Sequence, residues 1–174
     1  MLAPLILFVI QPQVDPAQLH YASMVAGDAG PADRIIGGII SYTRWPTGRG
    51  GASVRLCLTG NPRLGSVPQP VVPGVAQPLQ PVMRRSSDID SSVCDAVYIG
   101  NVQPGERAAL IARLRGTAVL TLTDIDPLCN SGAMFCLTGN AASPRYHVNL
   151  DAVARSTLRI DARVLRMAQR SDAP

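Results

Sequence analysis

The sequence predicts an α/β fold: a mixed, mostly parallel central sheet flanked by helices, with a late β-hairpin. Three observations predict it. The elements run strand, connection, strand, helix, strand, an order that places successive strands side by side and parallel with helices on the faces. The segment Thr117–Thr123 is nearly continuously apolar at its centre, as an interior strand buried on both faces should be. Two short β-favouring runs, MFCLTG and YHVNL, are joined by GNAASP, whose Gly, Asn, Ser and Pro suit a hairpin connection.

The elements follow in chain order. Leu2–Ile10 is an apolar run of nine residues broken by Pro4. A bilayer span needs about 20 residues, so this run has the length of a signal-peptide apolar core instead. No basic flank precedes it and no clean Ala-x-Ala site follows, so a hydrophobic N-terminal strand is the alternative. Residues 1–14 are therefore assigned to a signal-peptide remnant or linker, 15–170 to one domain and 171–174 to a tail. Leu19–Ala26 can form a helix. A stronger one starts at Pro31, a favoured first-turn residue, with Asp33 near its positive end. Ile35, Ile36, Ile39, Ile40 and Tyr42 give it one buried face. Gly37 and Gly38 weaken it in isolation and are expected to permit close approach of a neighbour. Pro46 stops it, leaving Thr43, Arg44 and Trp45 at its end.

Ser53–Thr59 alternates Val54, Leu56 and Leu58 against Arg55, Cys57 and Thr59, the period of a strand. Asn61–Pro81 holds six prolines and no helical period, which predicts a mobile excursion. Val82–Arg85 is expected as a short edge strand and Val93–Ile99 as a second clear one. Pro104 opens a helix over 105–115, with Ala108, Leu110, Ile111 and Leu114 inward and Glu106, Arg107 and Arg113 outward. Gly116 closes it. Asp124–Pro127 is a turn. Asn149 or Asp151 caps the next helix, and Thr157 with Leu158 breaks it before a second one. The string CLTGN occurs at Cys57–Asn61 and again at Cys136–Asn140, each time as a strand end entering a Gly-Asn turn; the similarity is attributed to chance.

Composition narrows the function. The chain has 174 residues, 47% of them hydrophobic but only 4% aromatic, so its core rests on Val, Leu, Ile and Ala. The net charge of +4 comes from 16 basic residues, all Arg, spread along the chain without a dense run, which argues against a nucleic-acid partner. The four cysteines, Cys57, Cys94, Cys129 and Cys136, allow three pairings, and their spacing lacks the two close pairs of a structural zinc site. Disulfides in an exported protein are the better reading, and no metal or cofactor is expected. A catalytic set is equally hard to assemble. Glu106 is the one Glu and lies on an outer helix face. The pairs Asp88 with Asp90 and Asp124 with Asp126 are explained as turn and capping residues. There is no Gly-x-Ser-x-Gly elbow, no Lys for a phosphate loop, and no strand-to-helix context for Gly48–Gly51. His147 sits between Tyr146 and Val148 on a strand. The chain is not expected to be an enzyme. Binding is better supported: Arg44 beside Trp45 offers a guanidinium and an indole to a planar anionic or aromatic ligand, and Arg159 and Arg163 follow at helical spacing. Helix-end arginines that offset a dipole, and a core Trp, would explain the same residues structurally.

The order of several motifs resembles the YfiR family from about Ile35 to Met167. They are SYTRWP at Ser41–Pro46, a cysteine-bearing strand, CDAVYIG at Cys94–Gly100, a helix, VLTLTD at Val119–Asp124, the Ser131–Phe135 run, and NLDAVARSTLRI at Asn149–Ile160. The resemblance implies a periplasmic α/β regulator that dimerises and represses an inner-membrane diguanylate cyclase of YfiN type, lowering cyclic-di-GMP and biofilm formation. An outer-membrane lipoprotein of YfiB type would relieve the block. It implies the pairings Cys57–Cys94 and Cys129–Cys136, for which chain entropy gives about 4 and about 2.5 kcal/mol. It places partner contacts at Phe135, His147, Val153 and Leu158, and a ligand pocket near Arg44 and Arg159. The alternative is a periplasmic small-molecule binding module with its ligand near Arg44 and Trp45. The proline-rich Asn61–Pro81 departs from relatives, which carry a helix there.

Overall fold

A computed structural model describes residues 30–46, 51–64 and 78–165. The N-terminal apolar run, the helix expected at Leu19–Ala26, the Gly-rich turn at Gly48–Gly50 and most of the proline-rich segment lie outside the described residues. The first element is helix α1 (Pro31–Ser41). It is followed by β1 (Thr43–Arg44), β2 (Val54–Thr59) and β3 (Leu79–Met83). After a 3-10 turn at Ser86–Asp88 come β4 (Ala96–Ile99), α2 (Pro104–Leu114) and β5 (Leu120–Thr123). The chain then forms β6 (Phe135–Gly139), β7 (Pro144–Val148), α3 (Leu150–Arg155) and β8 (Arg159–Ile160), and enters a helical turn at 162–165.

Six strands form the central sheet in the order β3-β2-β4-β5-β6-β7. The first five are parallel and β7 pairs antiparallel with β6, so the expected mixed, mostly parallel sheet with a late hairpin is what the chain adopts. A strand's side chains alternate between faces, and this alternation builds two apolar layers. Leu56 and Leu58 of β2, Tyr98 of β4, Leu120 and Leu122 of β5 and Phe135 of β6 pack with Ile36, Ile39 and Ile40 of α1. Cys57, Val97, Ile99 and Cys136 face the other way, onto Leu110, Ile111 and Leu114 of α2. Both cysteine pairs therefore sit in the α2 layer.

Several boundaries differ from the sequence reading for physical reasons. β3 begins at Leu79 and contains Pro81, opposite Leu56. A proline lacks the N–H a central strand needs, but an edge strand leaves such positions unpaired. β4 and β5 are shorter than expected, because Val93–Asp95 and Thr117–Val119 are bent or irregular backbone. Ala108 points outward with Ala109. Gly38 has nothing within 4 Å of where a Cβ would stand, so it serves no close approach. Thr43 and Arg44 form a second, two-stranded sheet with Arg159 and Ile160, a long-range pairing with no local signal. Arg159 is thus on a strand, where a helical position was expected.

Candidate functional site

Two regions hold the residues singled out above. The first lies where α1 hands over to β1. Thr43 Oγ1 donates to Ile39 O at 2.8 Å, finishing the helix with a side chain. β1 then pairs with β8 in a register that sets Arg44 directly opposite Arg159. Trp45 Nε1 donates to Asp95 O at 3.0 Å, which fixes the indole against the amino end of β4. Asp95 is itself buried and receives Arg55 Nε at 2.9 Å, Arg55 Nη2 at 2.8 Å and Arg55 N at 3.0 Å. The hydrogen bond to Asp95 pushes the Arg55 guanidinium further up from its already high range. Arg44, Trp45, Pro46, Thr157 and Arg159 line a cavity of about 610 Å³, with no acidic side chain among the described residues of its wall. Arg163 stands apart: it pairs with Asp161 at 2.9 Å, and its guanidinium lies 4.9 Å from the centre of the Tyr42 ring. The structure brings together three of the four expected ligand residues.

The second region surrounds the disulfide between Cys129 and Cys136, whose Cα atoms are 5.6 Å apart. The other bridge, Cys57–Cys94, spans 5.8 Å between Cα atoms. Asp126 organises the short loop by accepting from Asn130 N at 3.1 Å and from Ser131 N and Oγ. Burial opposes its charge, but the Ser131 and Asn130 hydrogen bonds prevail and hold the carboxyl below its usual range. Asn149 then ties three elements together. Its N–H donates to Met134 O at 2.9 Å, its side chain accepts from Ala152 N at 2.9 Å as the N-cap of α3, and its amide lies 3.5 Å from Cys129 O. Asp151, the other capping candidate, pairs instead with Arg155 one turn on.

Of the four expected partner residues, Phe135 is fully buried beside Tyr146, with ring centroids 6.1 Å apart, and Leu158 is also core. Both offer packing in place of surface. His147 and Val153 are half-buried, and Val153 packs against the main core. Among the described residues the exposed large apolar side chains are Val82 and Met83 on the edge strand β3, 44% and 58% exposed, and, in this second region, Leu128 and Leu150, 72% and 56% exposed. Leu128 and Leu150 flank Cys129 and Asn149, the pair joined across the disulfide loop. A leucine following a turn residue carries no exposure signal in sequence, so these two were not foreseen.

Asp124, expected as a turn residue, is wholly buried. Its Oδ2 accepts from Arg63 N, from Leu64 N at 2.8 Å and from the Tyr98 hydroxyl at 2.7 Å. Burial and the neighbouring carboxylate push the Tyr98 phenol far above its ordinary range, so it stays a donor. Among the described residues no cluster of three or more His, Cys, Asp or Glu could hold a metal, and no helix is long and apolar enough to cross a membrane.

A disulfide-pinned α/β domain offering an arginine-lined cavity and an apolar loop face belongs to the class of binding and regulatory modules. Residues 32–169 match the YfiR/HmsC-like family, and the chain belongs to that family. The family is one of periplasmic, non-catalytic regulators in cyclic-di-GMP signalling, and the two disulfides fit an oxidising compartment.

Proposed function

We propose that this protein works in the periplasm as a homodimer, binds the periplasmic part of an inner-membrane diguanylate cyclase of YfiN type, and represses it. Cyclic-di-GMP and biofilm formation fall as a result. The mechanism needs no chemistry on a substrate: a protein that binds one conformation of the cyclase better than the other shifts its population by that difference in affinity. An outer-membrane lipoprotein of YfiB type would relieve repression by competing for the regulator. The observation that supports the reading most is the exposure of Leu128 and Leu150, the neighbours of Cys129 and Asn149, whose main chain and side chain meet beside the disulfide. Exposed apolar side chains grouped on a rigid frame mark protein-contact surfaces. The test is binding of the oxidised protein to the isolated periplasmic part of a YfiN-type cyclase from the same host. Leu150→Asp should weaken that binding at least about tenfold, as loss of an interface anchor does, without lowering the melting temperature. Equal affinity in the variant would remove this face from the interaction.

A second reading, a small-molecule binding module, has its own observation. Arg44 and Arg159 are direct cross-strand neighbours. Like charges in that position repel, and an anion between them would turn the repulsion into a clamp. Trp45 supplies a stacking surface for the planar part of such a ligand. The two readings are compatible if the ligand tunes the regulator, and a thermal-shift series with planar anions tests the second one.

A further inference from the structure

The loops after β2, β4, β5 and β6 meet at one end of the sheet, because those four strands are parallel. They enclose a cleft of about 720 Å³ lined by Asn61–Arg63, Asn101, Asp124, Ile125, Pro127, Thr138 and Gly139. In open parallel sheets, ligands bind beyond the carboxyl ends of the strands, near the point where the winding of the chain reverses. Here the reversal lies between β2 and β4: the chain leaves β2 for the edge strand β3 and then returns to the other side. At that point the backbone is closed. Asn101 N donates to Asn61 O at 2.7 Å, and a Cβ on Gly100 would lie 2.5 Å from Asn61 backbone atoms. The cleft consequently opens over β5 and β6.

Its chemistry is specific. Arg63 is exposed, and its guanidinium is steered by Nε to Asp124 O at 2.9 Å and by Nη1 toward Gly139 O at 3.3 Å. No carboxylate is hydrogen-bonded to that guanidinium among the described residues. Asp124 Oδ2 serves the Arg63 and Leu64 backbone and Tyr98, and the buried Asp124 Oδ1 has no donor among the described residues. Asn61, Asn101 and Thr138 add neutral donors and acceptors, and Pro62, Ile125 and Pro127 give apolar wall.

We propose that this cleft is a second ligand site, distinct from the Arg44–Trp45 cavity, and that it takes a small hydroxylated monocarboxylate. A planar guanidinium matches a carboxylate through two parallel hydrogen bonds. The buried Asp124 charge offsets Arg63, so the site is close to neutral and disfavours a dianion such as phosphate. The neutral amides of Asn61 and Asn101 and the Thr138 hydroxyl favour a ligand that brings hydroxyl groups. The two sites lie at opposite ends of β4: Asp95, which holds Trp45, and Asn101 are six positions apart, or about 20 Å of strand.

The test is an amide NMR titration of the full-length oxidised protein with L-lactate and D-gluconate, with inorganic phosphate as the dianion. Saturable shifts are expected over residues 60–64, 100–101 and 138–139, with gluconate bound more tightly than phosphate. Arg63→Gln and Asn101→Asp should each weaken binding at least about tenfold through loss of a charge-assisted bond or gain of a repulsion. Asn101→Asp keeps the backbone bridge, so it reports on the site even if Arg63→Gln disturbs the fold. Arg44→Gln should leave these shifts unchanged. Absence of saturable shifts, shifts confined to the Arg44–Trp45 cavity, tighter binding of phosphate, or unchanged affinity in Asn101→Asp would each overturn the proposal.

Discussion

Tyr98 and Asp124 illustrate how single side chains hold this domain. Tyr98 is buried in β4, and its hydroxyl is one of three donors to a carboxylate with no exposed surface. Tyr98→Phe keeps the ring packing and removes the donor. It should cost about 1–3 kcal/mol in guanidinium denaturation, the price of leaving a buried charged acceptor short of a partner. A loss too small to measure would mean that the two backbone donors suffice. Glycines act at the same scale in opposite ways. Gly60 has a φ of +68° and faces Asn101 O at 2.6 Å from a hypothetical Cβ, so β2 and β4 can meet there only without a side chain. Gly38 faces open space inside α1. Gly38→Ala should therefore stabilise the protein by about 0.5–1 kcal/mol, the helix-propensity difference. A decrease in stability would show that α1 needs the glycine for a contact the structure lacks.

At the scale of elements, the disulfides divide the work. Cys57–Cys94 ties β2 to the turn before β4 and closes a separation of 37 residues; Cys129–Cys136 closes only 7. Chain entropy puts about 4 kcal/mol on the first and about 2.5 kcal/mol on the second. Cys57→Ser with Cys94→Ser should thus lower the unfolding free energy more than Cys129→Ser with Cys136→Ser. The short-bridge variant should instead lose more cyclase binding, because the bridge anchors Cys129, which follows Leu128 and meets the Asn149 side chain. The reverse ranking in both assays would contradict this division. Much of this layer was legible in sequence. Alternation placed Leu56 and Leu58 opposite Cys57, and both CLTGN strings do end strands at glycines with positive φ, Gly60 and Gly139. The β1–β8 pair was not legible, since two residues carry no period and their partners are more than a hundred positions away.

For the whole molecule, the parallel order of the sheet followed from the strand and helix sequence, and that order alone fixes which loops share an end. Which of those loops bury a charge did not follow. Asp124 follows a strand as any turn aspartate would, and only the arrival of Arg63 and Leu64 from sixty positions away makes it a hub. Phe135 and Leu158 fell into the core for a related reason: the resemblance located a region, while burial depends on which face each side chain meets. The proposed role rests on that region acting as a contact surface. The most direct measurement is cellular cyclic-di-GMP in the native host after deletion of the gene, with restoration by the wild type and by Leu150→Asp. The account predicts a rise on deletion, reversed by the wild type and not by the variant at equal periplasmic abundance. No change on deletion while the cyclase is expressed, or full rescue by Leu150→Asp, would contradict it.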